Sequence, residues 1–287
     1  MSSPSPFPIK SGREFNAKFN AKFKTKFRTN STAAALLLAI ASTIGCGSSS
    51  STPPGSTYNN LNPNTLPPGV TVSTQAAISK NAQANSGWQI CVGTCANAAI
   101  PQTYTLTQNI ASPSLNNDAT AASYFENGTP FGDVMWYYHF GDSSATNFVL
   151  DLYLMIDDPE DVQAIEIAAL KNDGLNWYKM STQCNYQSGQ FRGFNVQSFQ
   201  WVNLGATCIP AKANTWQRVT LQFSTTGGMT NFEGVSFDGV LQPITASLPP
   251  EPQTAASELF GIHIQLDNAN TTAGYTLYAD DWTVYSW

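Results

Sequence analysis

Charge is scarce in this sequence, and none of its apolar runs is long. Asp, Glu, Lys and Arg make up 11% of the 287 residues, against 42% hydrophobic and 12% aromatic. The longest apolar stretch, AAALLLAIASTI at 33–44, is too short to cross a bilayer as a helix. No GxSxG elbow occurs, so serine-hydrolase chemistry lacks its usual nucleophile turn. No glycine-rich phosphate loop and no internal repeat occur, and no segment carries a long helical period. Histidine is limited to His139 and His263, and no second cysteine pair lies near Cys91 and Cys95 at zinc-ligand spacing.

What charge there is falls unevenly. Seven of the 13 Lys and Arg residues lie in the first 30 positions, with Glu14 the one acid among them. From Cys46 onward there are 6 basic and 18 acidic residues, a formal charge of 6 − 18 = −12. An acidic, aromatic-rich body excludes nucleic-acid binding, which needs clustered cations to replace counterions. It equally disfavours adsorption to anionic lipid.

The 33–44 run follows a basic leader and matches the apolar region of a secretory signal. In that leader Phe15, Phe19, Phe23 and Phe27 recur every fourth residue among Lys18, Lys22 and Lys26, a basic stripe belonging to the segment removed on export. The following IGCGSSS resembles a bacterial lipobox: Gly45 and Cys46 fit it, and Thr43 stands where Leu is usual. The expectation is a signal over 1–46, a lipid on Cys46, and membrane contact through that anchor only. Residues 47–85 then form a linker rich in Ser, Thr, Pro, Asn and Gly, with a short helical turn over 73–86.

From 86 to 287 the pattern is that of strands. In 147–156 Phe148, Leu150, Leu152, Leu154 and Ile156 share one face. Further strands are predicted over 102–108, 134–140, 162–169, 216–223, 232–237, 259–266 and 275–285. Asp238–Gly239 marks a tight hairpin, and 172–174 and 226–228 mark other turns. Many strands and turns without helix imply an all-β, two-sheet antiparallel sandwich. Cys91, Cys95, Cys184 and Cys208 form an even set past an export signal, which implies two disulfides. Spacing favours Cys91–Cys95 and Cys184–Cys208, although four cysteines allow three pairings.

The domain resembles a group of uncharacterised exported bacterial proteins with the concanavalin A-like lectin/glucanase jelly roll. The matching pieces run from SGWQICVGTC at 86–95 and SPSLNNDATAASY at 112–124, through VQAIEIAAL at 162–170 and STQCNYQSGQF at 181–191, to YADDWTVYSW at 278–287. The resemblance implies the fold and a bias toward carbohydrate. Jelly-roll glucanases carry E-[ILV]-D-x-x-E. Here Glu166 remains, while Ala168 and Lys171 replace the other acids, so a hydrolase would need a carboxylate from elsewhere, such as Glu160. Jelly-roll lyases pair Gln and His on one strand with Tyr and Arg from its neighbours. His263 and Gln265 share a face, in the reverse of the expected order.

The favoured reading is a lectin-like carbohydrate-binding domain. A non-catalytic structural or adhesion module is the alternative, followed by a glycoside hydrolase or polysaccharide lyase. Glu166, between Ala164 and Ala168, suggests a shallow polar floor. Gln183, Asn185, Tyr186 and Arg192 are expected on a rim loop over 183–208. Trp177 and Tyr186 are expected to be the exposed aromatics among Trp136, Tyr137, Tyr138, Trp201 and Trp282, and Trp88, Trp136 and Trp216 to be core. No cofactor is called for. Structural Ca²⁺ would draw on Asp157, Asp158, Glu160 and Asp161 or on Asp280 and Asp281.

Overall fold

Alternating apolar and polar residues commit most of the chain to strands. The computed structural model describes residues 71–74, 87–92, 99–141, 144–253 and 259–287. In chain order the strands are β1 (Thr71–Thr74), β2 (Gln89–Val92), β3 (Thr103–Ile110), β4 (Ala121–Asn127), β5 (Asp133–Gly141), β6 (Asn147–Ile156), β7 (Val162–Asn172) and β8 (Asn176–Asn185). There follow β9 (Gln190–Asn195), β10 (Gln200–Thr207), β11 (Gln217–Ser224), β12 (Thr230–Phe237), β13 (Val240–Leu248), β14 (Glu251–Pro252), β15 (Leu259–Asn268) and β16 (Tyr275–Ser286). No α-helix occurs among the described residues.

They build two antiparallel sheets of eight strands, a β-sandwich of the jelly-roll type. The first runs β13-β12-β11-β6-β16-β4-β3, with β1 on β16. The second runs β10-β9-β8-β7-β15-β5-β2, with β14 on β8. All eight predicted strands are present, most with slightly different ends. The alternation pattern does not mark β2, β4, β8, β9, β10, β13 or β14, and residues 71–74 are expected there as tether and helical turn. Thr71–Thr74 instead pair with Thr283–Ser286 as β1, so the domain's strands begin before 86. The rest of the expected turn, the leader, Cys46, the remaining linker and Cys95 lie outside the described residues.

The core lies between the sheets. Phe148, Leu150, Leu152 and Ile156 of β6 are fully buried, and Leu154 nearly so. Opposite them stand Ile165 and Ile167 of β7 and Ile262, Ile264 and Leu266 of β15. Trp136 and Trp282 are core residues, whereas Trp88 only packs against the core and Trp216 is half-buried. The β12–β13 hairpin turns on Asp238 at φ 51° and Gly239 at φ 82°, the two positive values that this tight turn requires. Asp238 Oδ1 also accepts from Arg218 N at 2.9 Å.

Cys184 on β8 is joined to Cys208, just past β10, with Cα atoms 4.9 Å apart. Cys91 is also disulfide-bonded. The Cys184–Cys208 bridge closes a loop of sequence separation 24 that contains β9 and β10, and so ties that edge of the second sheet to its centre. Loop-closure entropy gives a bridge of this span roughly 3 kcal/mol. Chemical denaturation of a Cys184→Ala/Cys208→Ala variant is expected to show a loss of that order, with the β-sheet circular dichroism retained in buffer.

Candidate functional site

The second sheet has two faces, and period-2 alternation divides the residues of β7 and β15 between them. Ile165, Ile167, Ile262, Ile264 and Leu266 point to the core. Ala164, Glu166, Ala168, His263, Gln265 and Asp267 point the other way. Antiparallel register lines up the away-facing residues in rows across the sheet. One row reads Asn203, Arg192, Gln183, Glu166, Gln265, Met135, from β10 to β5. The next begins with Trp201 opposite Phe194. Phe194 follows Gly193, which pairs with Thr182, and from Ser181 a row runs through Ala168, His263, Tyr137 and Gln89. A third brings Asp267 between Ala164 and Asp133.

The middle of this face is a hydrogen-bonded polar net. Gln183 Nε2 donates to Glu166 Oε1 at 3.2 Å and to Asp267 Oδ2 at 2.9 Å. Gln265 Nε2 donates to Asp267 Oδ1 at 2.8 Å. Arg192 Nη2 donates to Gln183 Oε1. Glu166, Gln183, His263, Gln265 and Asp267 are all more than nine-tenths buried.

Burial here is electrostatically costly, and the acids respond by holding protons. Desolvation, then the charges of Asp267 and Asp133, push Glu166 well above the usual carboxylate range. Desolvation lifts Asp267 to about 6, opposed by the Gln265 and Gln183 amides, Arg192 and a hydrogen bond with Glu166. Glu126 of β4, fully buried between the sheets, is pushed up to about 10 by desolvation and then by Asp267 and Asp133. His263 falls to about 3, through desolvation and then the Lys179 charge, and its imidazole stays neutral.

The predicted site residues divide cleanly. Glu166, Gln183, Arg192, Gln265 and His263 come together on one face, with Gln183 on β8 and Arg192 on β9 and neither on a rim loop. Asn185 shares the face, but its Oδ1 accepts from Ser188 N and Oγ and fixes the β8–β9 turn. Tyr186 is not exposed: it packs against the core, where its hydroxyl accepts from Ala211 N at 3.2 Å. Trp177 is half-buried at the far end of β8, about 20 Å of strand from Gln183. Lys179 Nζ lies 5.4 Å from its ring and 2.7 Å from Glu251.

Asp267 is the partner carboxyl that the sequence reading lacked. Glu160, the substitute considered there, is exposed on a 3-10 turn. The predicted strand stopped at 266, one residue short of the next away-facing position. Phe194 was also missed, and its ring centroid lies 5.2 Å from that of Trp201. Of the acids weighed for Ca²⁺, Asp157, Asp158, Asp280 and Asp281 serve as hydrogen-bond acceptors. Asp157 Oδ1 accepts from Thr276 N at 2.7 Å, and Asp280 binds Ser114, Leu115 and Thr120. Among the described residues no three His, Cys, Asp or Glu side chains are placed to hold a metal ion.

No family model matches the sequence, and neither does any curated protein. Solved structures with a related chain path include a carbohydrate esterase, vb_24B_21, from the Shiga toxin-encoding bacteriophage phi24B. It is 13% identical, over 75% of this chain and 99% of that one, at a TM-score of 0.43. Arcelin-5, a lectin-like defense protein from Phaseolus vulgaris, is 10% identical over 76% and 98%, at 0.43. The cellulose-induced protein Cip1 is 10% identical over 69% and 90%, at 0.44. Likeness at this level brings no activity to the chain.

The raised acids make stability fall as pH rises. Below the unfolded-state value of 4.5 Glu126 is protonated in both states. Above it the unfolded chain ionises while the folded one does not, until about pH 10. The penalty grows by up to about 1.4 kcal/mol per pH unit. His263 acts in the opposite sense, removing stability as pH falls from 6.5 toward about 3. In thermal melts Glu126→Gln is expected to exceed the wild type at pH 8, with the difference closing toward pH 4.5.

Proposed function

We propose that this chain is an exported, lipid-anchored carbohydrate-binding protein whose ligand lies across the core-averted face of the second sheet. One observation carries the reading: aromatic rings flank a polar strip on a single face. Trp201 and Phe194 stand side by side toward one edge, half-buried, and Tyr137 stands on β5, half-buried on the same face. Five strand spacings separate Trp201 from Tyr137, about 24 Å. Sugars present C–H faces that stack on such rings and hydroxyls that pair with amide, carboxyl and guanidinium groups. Between the rings stand those groups: Gln183, Gln265, Glu166, Asp267 and Arg192.

The carboxyl geometry speaks against hydrolysis. Retaining hydrolysis needs two carboxyls about 5 Å apart, one on each side of the bond, and inversion needs more. Glu166 and Asp267 instead both accept from the one Gln183 amide nitrogen, side by side on the same face. A lyase is the second reading, because His263, Gln265, Tyr137 and Arg192 stand on one face, Tyr137 directly opposite His263. Export and the anchor rest on the leader, the apolar run and Gly45–Cys46, and the Cys184–Cys208 disulfide suits an oxidising compartment.

Screening the full chain on a glycan array is expected to find binders, with affinity lost at least tenfold in Trp201→Ala and unchanged in Trp216→Phe. Binding that survives in Trp201→Ala moves the ligand off this face, and the ultraviolet absorbance of an unsaturated uronate product establishes the lyase instead. Intact mass of the exported protein is expected to show acyl chains on Cys46, and a Cys46→Ala form is expected in the soluble fraction.

A further inference from the structure

Three aromatic rings stand together on the β9–β10 hairpin, outside the core between the sheets. Phe194 on β9 pairs with Trp201 on β10, and their ring centroids lie 5.2 Å apart with the planes at 58°. Phe199, in the turn between the strands, sets its ring 6.3 Å from that of Phe194 and nearly perpendicular to it, at 83°. All three residues are half-buried, so each keeps surface in contact with solvent. Arg192 and Asn203, paired two residues along the same side of the hairpin, lead from the rings to the polar net.

Phe199 also sits in a strained place. Its backbone is at φ 53°, in the left-handed region where a bulky side chain is an outlier and glycine or asparagine is usual. Strain of this kind gathers at binding sites. Turn formation alone would be served better by a residue without the ring.

The hairpin is held as a rigid unit. Gly193 faces the core, where a Cβ would come within 2.9 Å of Leu204 and 3.1 Å of Phe232. Cys208, just past β10, is bonded to Cys184 on β8. Gln242 of β13 clasps the end of β10: Thr207 N donates to its Oε1 at 2.8 Å, and Thr207 O accepts from its Nε2 at 2.9 Å. In the turn, Asn195 Oδ1 accepts from Gln197 N at 3.0 Å and from Ser198 N at 3.1 Å. The ring angles are therefore set before a ligand arrives, which leaves little ordering cost on binding.

Those angles decide what shape of ligand fits. A crystalline polysaccharide presents a flat layer of sugar faces, and only rings lying in one plane can cover it. Rings turned by 58° and 83° from their neighbour share no plane. They form the walls of a notch, which suits one chain whose successive sugar rings turn relative to each other.

We propose that Phe194, Phe199 and Trp201 form a stacking notch that takes a single dissolved polysaccharide chain and rejects crystalline polysaccharide surfaces. This rests on the carbohydrate-binding reading and names the form of its ligand. The test measures retention of the full chain on microcrystalline cellulose and crystalline chitin by pull-down. Affinity electrophoresis measures its binding to dissolved hydroxyethyl cellulose, laminarin and xylan. At least one dissolved polymer is expected to bind, and neither crystalline one to retain the protein. Phe199→Gly is expected to weaken that binding roughly fivefold, the size of one lost ring contact. Its melting temperature is expected not to fall, because glycine accepts the left-handed turn. Phe199→Asn, which also tolerates that backbone, provides a second variant should glycine loosen the hairpin.

Retention on either crystalline polymer overturns this inference and leaves carbohydrate binding standing. Dissolved-polymer binding that is unchanged in both folded Phe199 variants overturns it as well. A dimer in sedimentation of the unliganded chain that Trp201→Ala dissolves assigns the rings to a second copy and overturns it too. Absence of binding to all five polymers overturns the inference, and an empty glycan array overturns the carbohydrate reading with it.

Discussion

The register of β15 between β7 and β5 is the constraint on which both the core and the polar face depend. Ile262, Ile264 and Leu266 meet Ala169, Ile167 and Ile165 on one side, while His263, Gln265 and Asp267 meet Ala168, Glu166 and Ala164 on the other. A slip of one residue would drive a histidine, an amide and an acid between the sheets and turn three aliphatic side chains outward. Such a slip forfeits roughly 1.5–3 kcal/mol for each large aliphatic side chain lost from the core, before any buried charge is counted. Apolar packing on one face therefore sets the geometry of the polar groups on the other. The close approach of β15 to its neighbour β5 adds to this, since a Cβ on Gly261 would come within 2.6 Å of Tyr138 O.

The polar net is held together at some expense of stability. Four acids lie buried near one another, and desolvation is the first cause of the rise in Glu126, Glu166 and Asp267. A core of plain aliphatic residues would be more stable, and nothing in sandwich packing calls for a carboxyl pair bridged by Gln183. Rings at Trp201, Phe194 and Tyr137 extend the same face toward both sides.

How much of this was legible in the sequence depended on how local each signal is. The apolar alternation of 147–156 and the Asp238–Gly239 turn were legible, because each is set by adjacent residues. Spacing also favoured the Cys184–Cys208 pairing that the structure contains, although it left other pairings open. Glu166 between two alanines, and His263 with Gln265, were placed on shared faces by parity alone. Asp267 was not found, because its meeting with Glu166 is a diagonal contact across a register that no local pattern states. Gln183 and Arg192 were chosen, but as rim residues. The mixed polarity of 183–208 conceals three strands whose partners lie along the same edge. Tyr186 was misplaced because an aromatic beside a cysteine and an asparagine gives no sign of which layer it enters. Thr71–Thr74 has no apolar pattern at all, and only its backbone pairing with β16 makes it a strand.

The central claim is that ligand lies across the core-averted face of the second sheet. Side-chain amide and indole resonances report that face directly, in a titration of the labelled protein with the tightest-binding glycan from an array. The account predicts shifts in the amide groups of Gln183 and Gln265 and the indole of Trp201, with Gln217 and Asn231 of the first sheet unmoved. Shifts confined to Gln217, Asn231 or the first sheet's loops would contradict it.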